Sequence, residues 1–269
     1  MRSIVHLSDI HFGRLNDHVV EPLIEKIETL APDLVAVSGD LTQRARSRQF
    51  KEARAFLDRL PQPQIVVPGN HDVPLHNPLS RFFQPLTKYR KFITDDLRPV
   101  HLDEEIAVVG LNTARSLTIK GGRINEQQIA WMREKLCDLD AHVIRIVVTH
   151  HPFDLPEGHN ESDLVGRARM AMETLASCGA DLFLAGHLHV SHTTHTATRY
   201  RIKGHSALVV QAGTATSSRG RGEENSFNLI RIDKPKIEID RYTWNQQETF
   251  EVSLTERFQL TPDGWVRAT

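Results

Sequence analysis

Cysteine is nearly absent from this chain, with only Cys137 and Cys178 among 269 residues. Both fall near the ends of predicted helices, where a small buried hydrophobe is the ordinary use of the residue. Nothing in their placing suggests a disulfide framework. Charge of one sign is also lacking: 33 basic residues face 34 acidic ones, for a net charge of −1. That balance removes any global reason to expect nucleic acid or an acidic membrane as partner. No apolar run approaches the roughly 20 residues needed to span a bilayer. The N-terminus enters a short strand within three residues, with no basic segment leading into a long apolar one, so no secretory signal is visible. There is no internal repeat, low-complexity tract or clear linker. These absences predict a soluble cytoplasmic protein of one domain, long enough to bury a substantial core.

Histidine, by contrast, is plentiful, with 15 residues. It titrates near neutrality and is the commonest metal ligand, so the excess leans toward metal or acid–base chemistry. The apolar pattern supplies a frame for it. Residues 3–8, 34–37 and 65–67 read as short buried strands. Between them lie two amphipathic helices, one with Val20, Leu23, Ile24, Ile27 and Leu30 at helical spacing, the other with Phe50, Ala53, Leu57 and Leu60. This β-α-β-α-β alternation implies a parallel sheet with helices packed on it. Residues 74–99 interrupt the rhythm: Leu79, Phe82, Phe83, Leu86, Tyr89 and Ile93 suggest one or two helices divided at Pro85. They read either as helix packed on the sheet or as a cap over the site with aromatics facing substrate. Strands follow at 105–111, 143–149 and 181–185, and 153–165 is expected as a loop near the site. Asn125-x-x-Gln128 looks like a capping box, and Gly179 like the left-handed stop of a helix from 167 to 178. Residues 192–200, 207–211, 227–232 and 237–244 are strand-like with few helices between, which predicts an antiparallel set. Two face-to-face sheets with helices outside would hold both halves. The domain is then residues 1–245, and the alternation of Phe250, Val252 and Leu254 makes 246–269 an added edge strand or tail.

The chemistry sits at five strand ends: Asp9-x-His11, Gly39-Asp40, Gly69-Asn70-His71-Asp72, His150-His151-Pro152 and Gly186-His187-x-His189. Each alone reads as a turn or the polar face of a strand. Together they occupy the C-terminal strand ends where parallel α/β folds build their sites. Mixed carboxylate, imidazole and amide oxygen suit Mn, Fe, Co or Zn and not an all-oxygen calcium site. Asp9, His11, Asp40, Asn70, His150, His187 and His189 are too many for one four-coordinate ion. Two divalent ions sharing a carboxylate use them all, and Asp40 is the isolated carboxylate suited to bridging. Two metals on one water would lower its pKa and leave a bridging hydroxide aimed at phosphorus.

The ordered set D-x-H, G-D, G-N-H-D, H and G-H-x-H, across residues 9 to 189, resembles the calcineurin-like metallophosphoesterase superfamily. The resemblance implies an α/β fold, a four-layer α/β/β/α sandwich of two mixed sheets flanked by helices, with a dinuclear centre. By motif, one metal would be held by Asp9, His11, Asp40 and His189, the other by Asp40, Asn70, His150 and His187. His71 would stabilise developing charge or protonate the leaving oxygen, with Asp72 orienting it. Either His150 or His151 could be the ligand. His150 is preferred because it comes first after the strand and the family pattern places the ligand two residues before proline.

Within the superfamily, the opening from Leu7 to Gly13 and the His-His-Pro string resemble bacterial phosphodiesterases of the cyclic-nucleotide and glycerophosphodiester type. That implies a small-molecule phosphodiester as substrate, no nucleic-acid partner, no integral membrane association, and a homodimer as one open assembly. Three rivals stand beside it. A nuclease of the double-strand-break repair type shares all five motifs. The basic residues Arg44, Arg46, Arg48, Lys51 and Arg54 nevertheless read as a solvated helix face, and the Arg219-Gly220-Arg221 loop as solubilising. The lipid A precursor (UDP-diacylglucosamine) pyrophosphatase branch typically carries Arg where this chain has His71. A scaffold that had lost catalysis would not be expected to keep every ligand.

Overall fold

Runs of Val, Ile and Leu that are buried on both faces build two sheets in the computed structural model, which describes residues 1–75, 78–118, 120–218 and 222–268. The Arg219-Gly220-Arg221 loop lies outside the described residues. In chain order the elements are β1 (Arg2–Leu7), α1 (Asp17–Leu30), β2 (Leu34–Val37), α2 (Ser47–Leu57), β3 (Gln64–Val66), α3 (Pro78–Phe83), α4 (Thr87–Phe92), β4 (Val100–Leu102) and β5 (Ile106–Leu111). There follow α5 (Glu126–Leu136), β6 (Ile144–Thr149), α6 (Ala168–Ser177), β7 (Leu182–Ala185), β8 (His192–His195), α7 (Ala197–Tyr200) and β9 (Leu208–Gln211). The chain closes with β10 (Ser226–Asp233), β11 (Lys236–Trp244), β12 (Phe250–Thr261) and β13 (Gly264–Arg267).

One sheet has the order β13-β12-β11-β10-β1-β2-β3 and the other β4-β5-β6-β7-β9-β8. Both are mixed. The first joins parallel β1, β2 and β3 to an antiparallel run starting at β10. The second has parallel β5, β6, β7 and β9 with antiparallel β4 and β8 at its edges. Side chains alternate across each strand. Ile4, Ile65, Val67, Val108, Ile146, Leu184 and Ile239 therefore fill the space between the sheets. Val5, Val35 and Val37 face outward onto Leu23, Ile27, Phe50 and Ala53 of α1 and α2. Val109, Val147 and Phe183 meet Met132 and Met172 of α5 and α6. The result is the four-layer α/β/β/α sandwich. Asn125 and Gln128 cap α5 reciprocally, at 2.8 and 3.0 Å, and Gly179 takes φ +70° beyond α6.

Four expectations are altered. First, 192–244 is not one antiparallel set: β9 runs parallel to β7, and residues 197–200 form the helical turn α7. The excursion through β8 and α7 is long enough to carry the chain back for a parallel crossover. Second, Cys137 and Cys178 form a disulfide. They cap the C-terminal ends of α5 and α6, which bring their Cα atoms to 4.1 Å. Third, the segment after 246 adds two strands and not one, with β13 at the edge of the first sheet. β12 is paired on both sides, and Phe258 and Trp265 enter the inter-sheet core. Trp265 Nε1 also donates to Asp181 Oδ1 at 2.9 Å, crossing from one sheet to the other.

Fourth, residues 74–99 divide into two different environments. Leu86, Tyr89 and Ile93 are buried in the α1/α2 layer, Tyr89 Oη donates to the Val66 carbonyl at 3.0 Å, and Phe92 stacks on Phe50. Leu79, Phe82 and Phe83 of α3 instead face solvent, 72%, 54% and 80% exposed. What holds α3 is the buried Arg81, which donates to the carbonyls of Pro74, Arg115, Ser116 and Thr118. Among the described residues no helix is long and apolar enough to cross a membrane.

Candidate metal centre

The C-terminal ends of β1, β2, β3, β6 and β7 converge at one edge of the sandwich. Backbone contact makes this possible. A Cβ on Gly39 would stand 2.8 Å from the Gly69 nitrogen, and one on Gly186 would collide with Ser8 Oγ. The loop after β1 is tied to the loop after β2 by Asp9 N to Gly39 O at 3.1 Å and His11 N to Asp40 O at 2.9 Å. Asp9, His11, Asp40, His187 and His189 all have left-handed φ, between 52° and 76°. Non-glycine residues in this region cost energy, and such strain gathers where side-chain aim matters.

Each buried carboxylate divides its two oxygens. Asp9 Oδ2 accepts from Ser8 Oγ at 2.6 Å and from the His187 amide at 2.9 Å. Asp9 Oδ1 meets no donor, although His189 Nε2 lies 3.1 Å away and His11 Nε2 3.5 Å. Asp40 Oδ1 accepts from the His71 amide at 2.8 Å. Asp40 Oδ2 lies between His150 Nε2 at 3.4 Å and His11 Nε2 at 3.8 Å. One oxygen of each therefore orients the group, and the other points inward.

The histidines follow the same rule. His150 Nδ1 is 2.8 Å from the Ser38 carbonyl and must donate to it. Its Nε2 then faces the Asn70 Oδ1 acceptor at 3.0 Å, an oxygen that His187 Nδ1 also approaches at 3.0 Å. His187 can donate to that oxygen from Nδ1 as a neutral tautomer, but a neutral His150 would meet it lone pair to lone pair, so a proton or a cation must stand at His150 Nε2. Burial opposes the charged form of His150, yet the neighbouring Asp40 carboxylate outweighs it and raises the pKa to about 9. Burial, reinforced by His150, lowers His187 to about 3. Burial also resists ionisation of Asp9, but His189 and His11 hold its pKa well below the usual range. Ligand atoms of Asp9, His11, Asp40 and His189 lie within 4.8 Å of one another, as do those of His150, His151 and His187. The orphaned Asp9 Oδ1 and this donor set fit divalent cations of the Mn, Fe, Co and Zn class.

His151 differs from His150. Its Nδ1 is 2.8 Å from Thr113 Oγ1 and its Nε2 2.7 Å from the Lys120 carbonyl, so both ring nitrogens are engaged in the wall. His71 presents its ring edge-on to His11, with centroids 5.0 Å apart. Its Nδ1 is 3.0 Å from the Gln43 carbonyl. Asp72 does not orient that ring, contrary to expectation. Its carboxylate instead accepts from the amides of Leu41, Thr42 and Gly69 and from Thr42 Oγ1, at 2.9–3.1 Å. Residues 70–72 form a 3₁₀ turn, in which adjacent side chains point apart. Asp72 therefore staples the loop carrying Asp40 to the loop carrying Asn70. Burial and the nearby Asp40 charge raise its pKa to about 6.

Several contributors were missed in the sequence. Ser8 and Ser38 directly precede flagged motifs and could have been found there. Gln43, Thr113 and Lys120 could not, because they reach the site only through the fold. His71 and Asn70 open onto a cavity of about 240 Å³ lined also by Arg14, Gln43, Arg44, Val73, Leu75 and Lys120. The 153–165 loop turns elsewhere: Asp154, Glu157, His159 and Glu161 line a separate cavity with His192 and Arg199.

Comparison with known proteins agrees with this geometry. Residues 2–191 match the family model described as calcineurin-like phosphoesterase. A probable glycerophosphodiester phosphodiesterase GpdQ from Arcobacter nitrofigilis is 28% identical over 169 residues, covering 61% of this chain and 59% of that protein. The 3',5'-cyclic adenosine monophosphate phosphodiesterase CpdA of Escherichia coli is 26% identical over 129 residues, covering 47% of this chain and 42% of its own. The chain thus spans less than two thirds of the length of these relatives. A dimetal phosphatase from Danio rerio superposes with a TM-score of 0.66 at 14% identity, over 90% of this chain and 96% of that one. A purple acid phosphatase from yellow lupin reaches 0.71 at 11% identity, over 94% of this chain and 53% of that one. These two speak for the fold. Matched over most of its length by the family model, the chain belongs to the calcineurin-like phosphoesterase family.

Proposed function

We propose that this chain is a phosphodiesterase that holds two divalent ions and hydrolyses a small-molecule phosphodiester of the glycerophosphodiester or cyclic-nucleotide class. The single observation that carries the reading is the convergence of inward-facing ligand atoms, above all Asp9 Oδ1, Asp40 Oδ2, Asn70 Oδ1 and His150 Nε2, in one buried cluster. Asp9, His11, Asp40 and His189 would hold one ion, and Asp40, Asn70, His150 and His187 the other, with Asp40 shared. Bound there, the ions would supply an activated water and neutralise charge on the phosphoryl oxygens.

The remaining work falls to the protein. Ser38 fixes the tautomer of His150, and the Ser8 hydroxyl and His187 amide aim Asp9. Asp72 keeps the Asp40 and Asn70 loops in register. His71 faces the cavity with Nδ1 at the Gln43 carbonyl, so in its imidazolium form Nε2 donates toward the departing oxygen. General acid assistance of this kind contributes about 10²–10⁴-fold.

The test combines metal analysis with turnover. With Mn, Zn, Fe or Co supplied, the protein should bind two ions and hydrolyse bis(4-nitrophenyl) phosphate and a glycerophosphodiester or cyclic nucleotide. Asp40→Ala should lose both ions. His71→Gln should keep both and lose about 10²–10⁴-fold in kcat. Two tightly held ions in Asp40→Ala, or loss of metal in His71→Gln, would overturn the assignment.

A further inference from the structure

Three cations, Arg14, Arg44 and Lys120, line the same cavity as Asn70 and His71, and no acidic side chain lines it among the described residues. Their backbones are pinned by the site's own framework. The Arg14 amide donates to the His11 carbonyl at 2.8 Å, and the Arg14 carbonyl accepts from the Ser218 amide at 3.1 Å. The Arg44 amide is held by Gln49 Oε1 at 3.0 Å. The Lys120 carbonyl receives His151 Nε2 at 2.7 Å. The side chains of Arg14 and Lys120 have no ion-pair or hydrogen-bond partner among the described residues. The arginines of α2 outside the cavity, by contrast, are paired: Arg48 with Glu52 and Arg54 with Asp58. Positive charge is thus gathered at the mouth of the cluster, unpaired at Arg14 and Lys120 among the described residues, whereas Arg48 and Arg54 on the helix beside it are paired.

A phosphodiester carries one negative charge, which the metal cluster itself would meet. Three further cations around a cavity of about 240 Å³ are more than that charge needs. We infer that the substrate carries a second phosphate-class anion, close to the phosphorus that reacts, and that Arg14, Arg44 and Lys120 bind it. This rests on reading the cluster as a phosphoester site. The cavity is too small for a polymer, and the paired arginines on α2 offer no continuing track for one, so the geometry favours a small molecule bearing two phosphates. Arginine suits the purpose because its planar fork meets phosphate oxygens in pairs, while lysine adds a mobile point charge.

A matched substrate pair tests this. Thymidine 5'-(4-nitrophenyl phosphate), with and without a 3'-phosphate, differs by one anion only. The 3'-phosphorylated compound should show at least tenfold higher kcat/KM. Lys120→Gln and Arg14→Gln should each shrink that ratio about tenfold, the scale of one charge-assisted contact, while Arg48→Gln leaves the ratio unchanged. Binding to the metal-free protein gives a second readout. Methylenediphosphonate should bind at least tenfold more tightly than methylphosphonate, and Lys120→Gln should remove most of the difference. Equal kcat/KM for the pair, or equal binding of the two phosphonates, overturns the inference. So does a kcat/KM that rises with the length of a single-stranded oligonucleotide. A bisphosphonate preference that Lys120→Gln abolishes, in a protein with no turnover, would support the second-anion site and defeat the hydrolase reading instead.

Discussion

His150 and His151 are adjacent, equally buried and chemically identical, and their surroundings alone separate them. A carbonyl on Nδ1 leaves His150 one ring nitrogen to offer, whereas His151 spends both on Thr113 and Lys120. His150→Ala should therefore lower metal content by one ion per chain, and His151→Ala should leave it unchanged when measured by plasma mass spectrometry. The reverse pattern would move the ligand to His151. A second buried histidine works through pH. His6 lies within β1, with Nε2 2.9 Å from Ser38 Oγ and Nδ1 unpartnered. Burial lowers its pKa from 6.5 to about 3. Between those values the unfolded chain binds the proton and the folded chain does not. The stability this group supplies is therefore complete above pH 6.5 and lost progressively as pH falls toward 3. Replacing it in His6→Phe should flatten the fall of Tm with acidification across that window. Parallel Tm–pH curves for the two proteins would show that His6 contributes nothing.

At the scale of elements, helices with a buried stripe were legible, and helices held by other means were not. Leu86, Tyr89 and Ile93 mark α4 because three apolar contacts face α2. The short α3 has exposed Leu79, Phe82 and Phe83, so its pattern says amphipathic helix while its position depends on Arg81. That side chain reaches carbonyls 34 to 37 residues away in the chain, a contact no periodicity can reveal. Arg81→Ala leaves those carbonyls and the Pro74 carbonyl without their donor. It should cost about 1–3 kcal/mol in denaturant unfolding and hasten proteolysis within 74–83. Unchanged stability and cleavage would mean that α3 is held by something other than Arg81.

On the scale of the whole molecule, the final strands decide whether the two sheets can close on one another. β12 supplies Phe258 and β13 supplies Trp265 to the shared core, and the Trp265 indole bonds to Asp181 beneath the opposite sheet. Removing a buried tryptophan alone typically costs about 3–5 kcal/mol, a large share of the roughly 5–15 kcal/mol that holds a domain together. A fragment ending at residue 245 should fail to unfold cooperatively by circular dichroism. A cooperative transition in that fragment would restore 1–245 as a self-sufficient unit. The disulfide acts elsewhere, joining α5 and α6 across 41 residues on the outer face of the second sheet.

The order of the motifs, the alternation of strand and helix, and the types of candidate ligand were all determined by the sequence. Each is a local property, because a run of Val and Ile buries itself wherever it lies and a polar triplet after it must fall at a strand end. Tertiary structure decided the matters that depend on direction between distant segments. Asp72 turned from its neighbour His71 to the loop after β2, since consecutive residues in a tight turn point apart. His150 was separated from His151 by a carbonyl 112 residues away in the chain. Arg14, Arg44 and Lys120 lie in unremarkable stretches of sequence, and they became a charged rim only when three loops met around one cavity. Two cysteines with no apparent relation became a covalent pair because two helices end side by side.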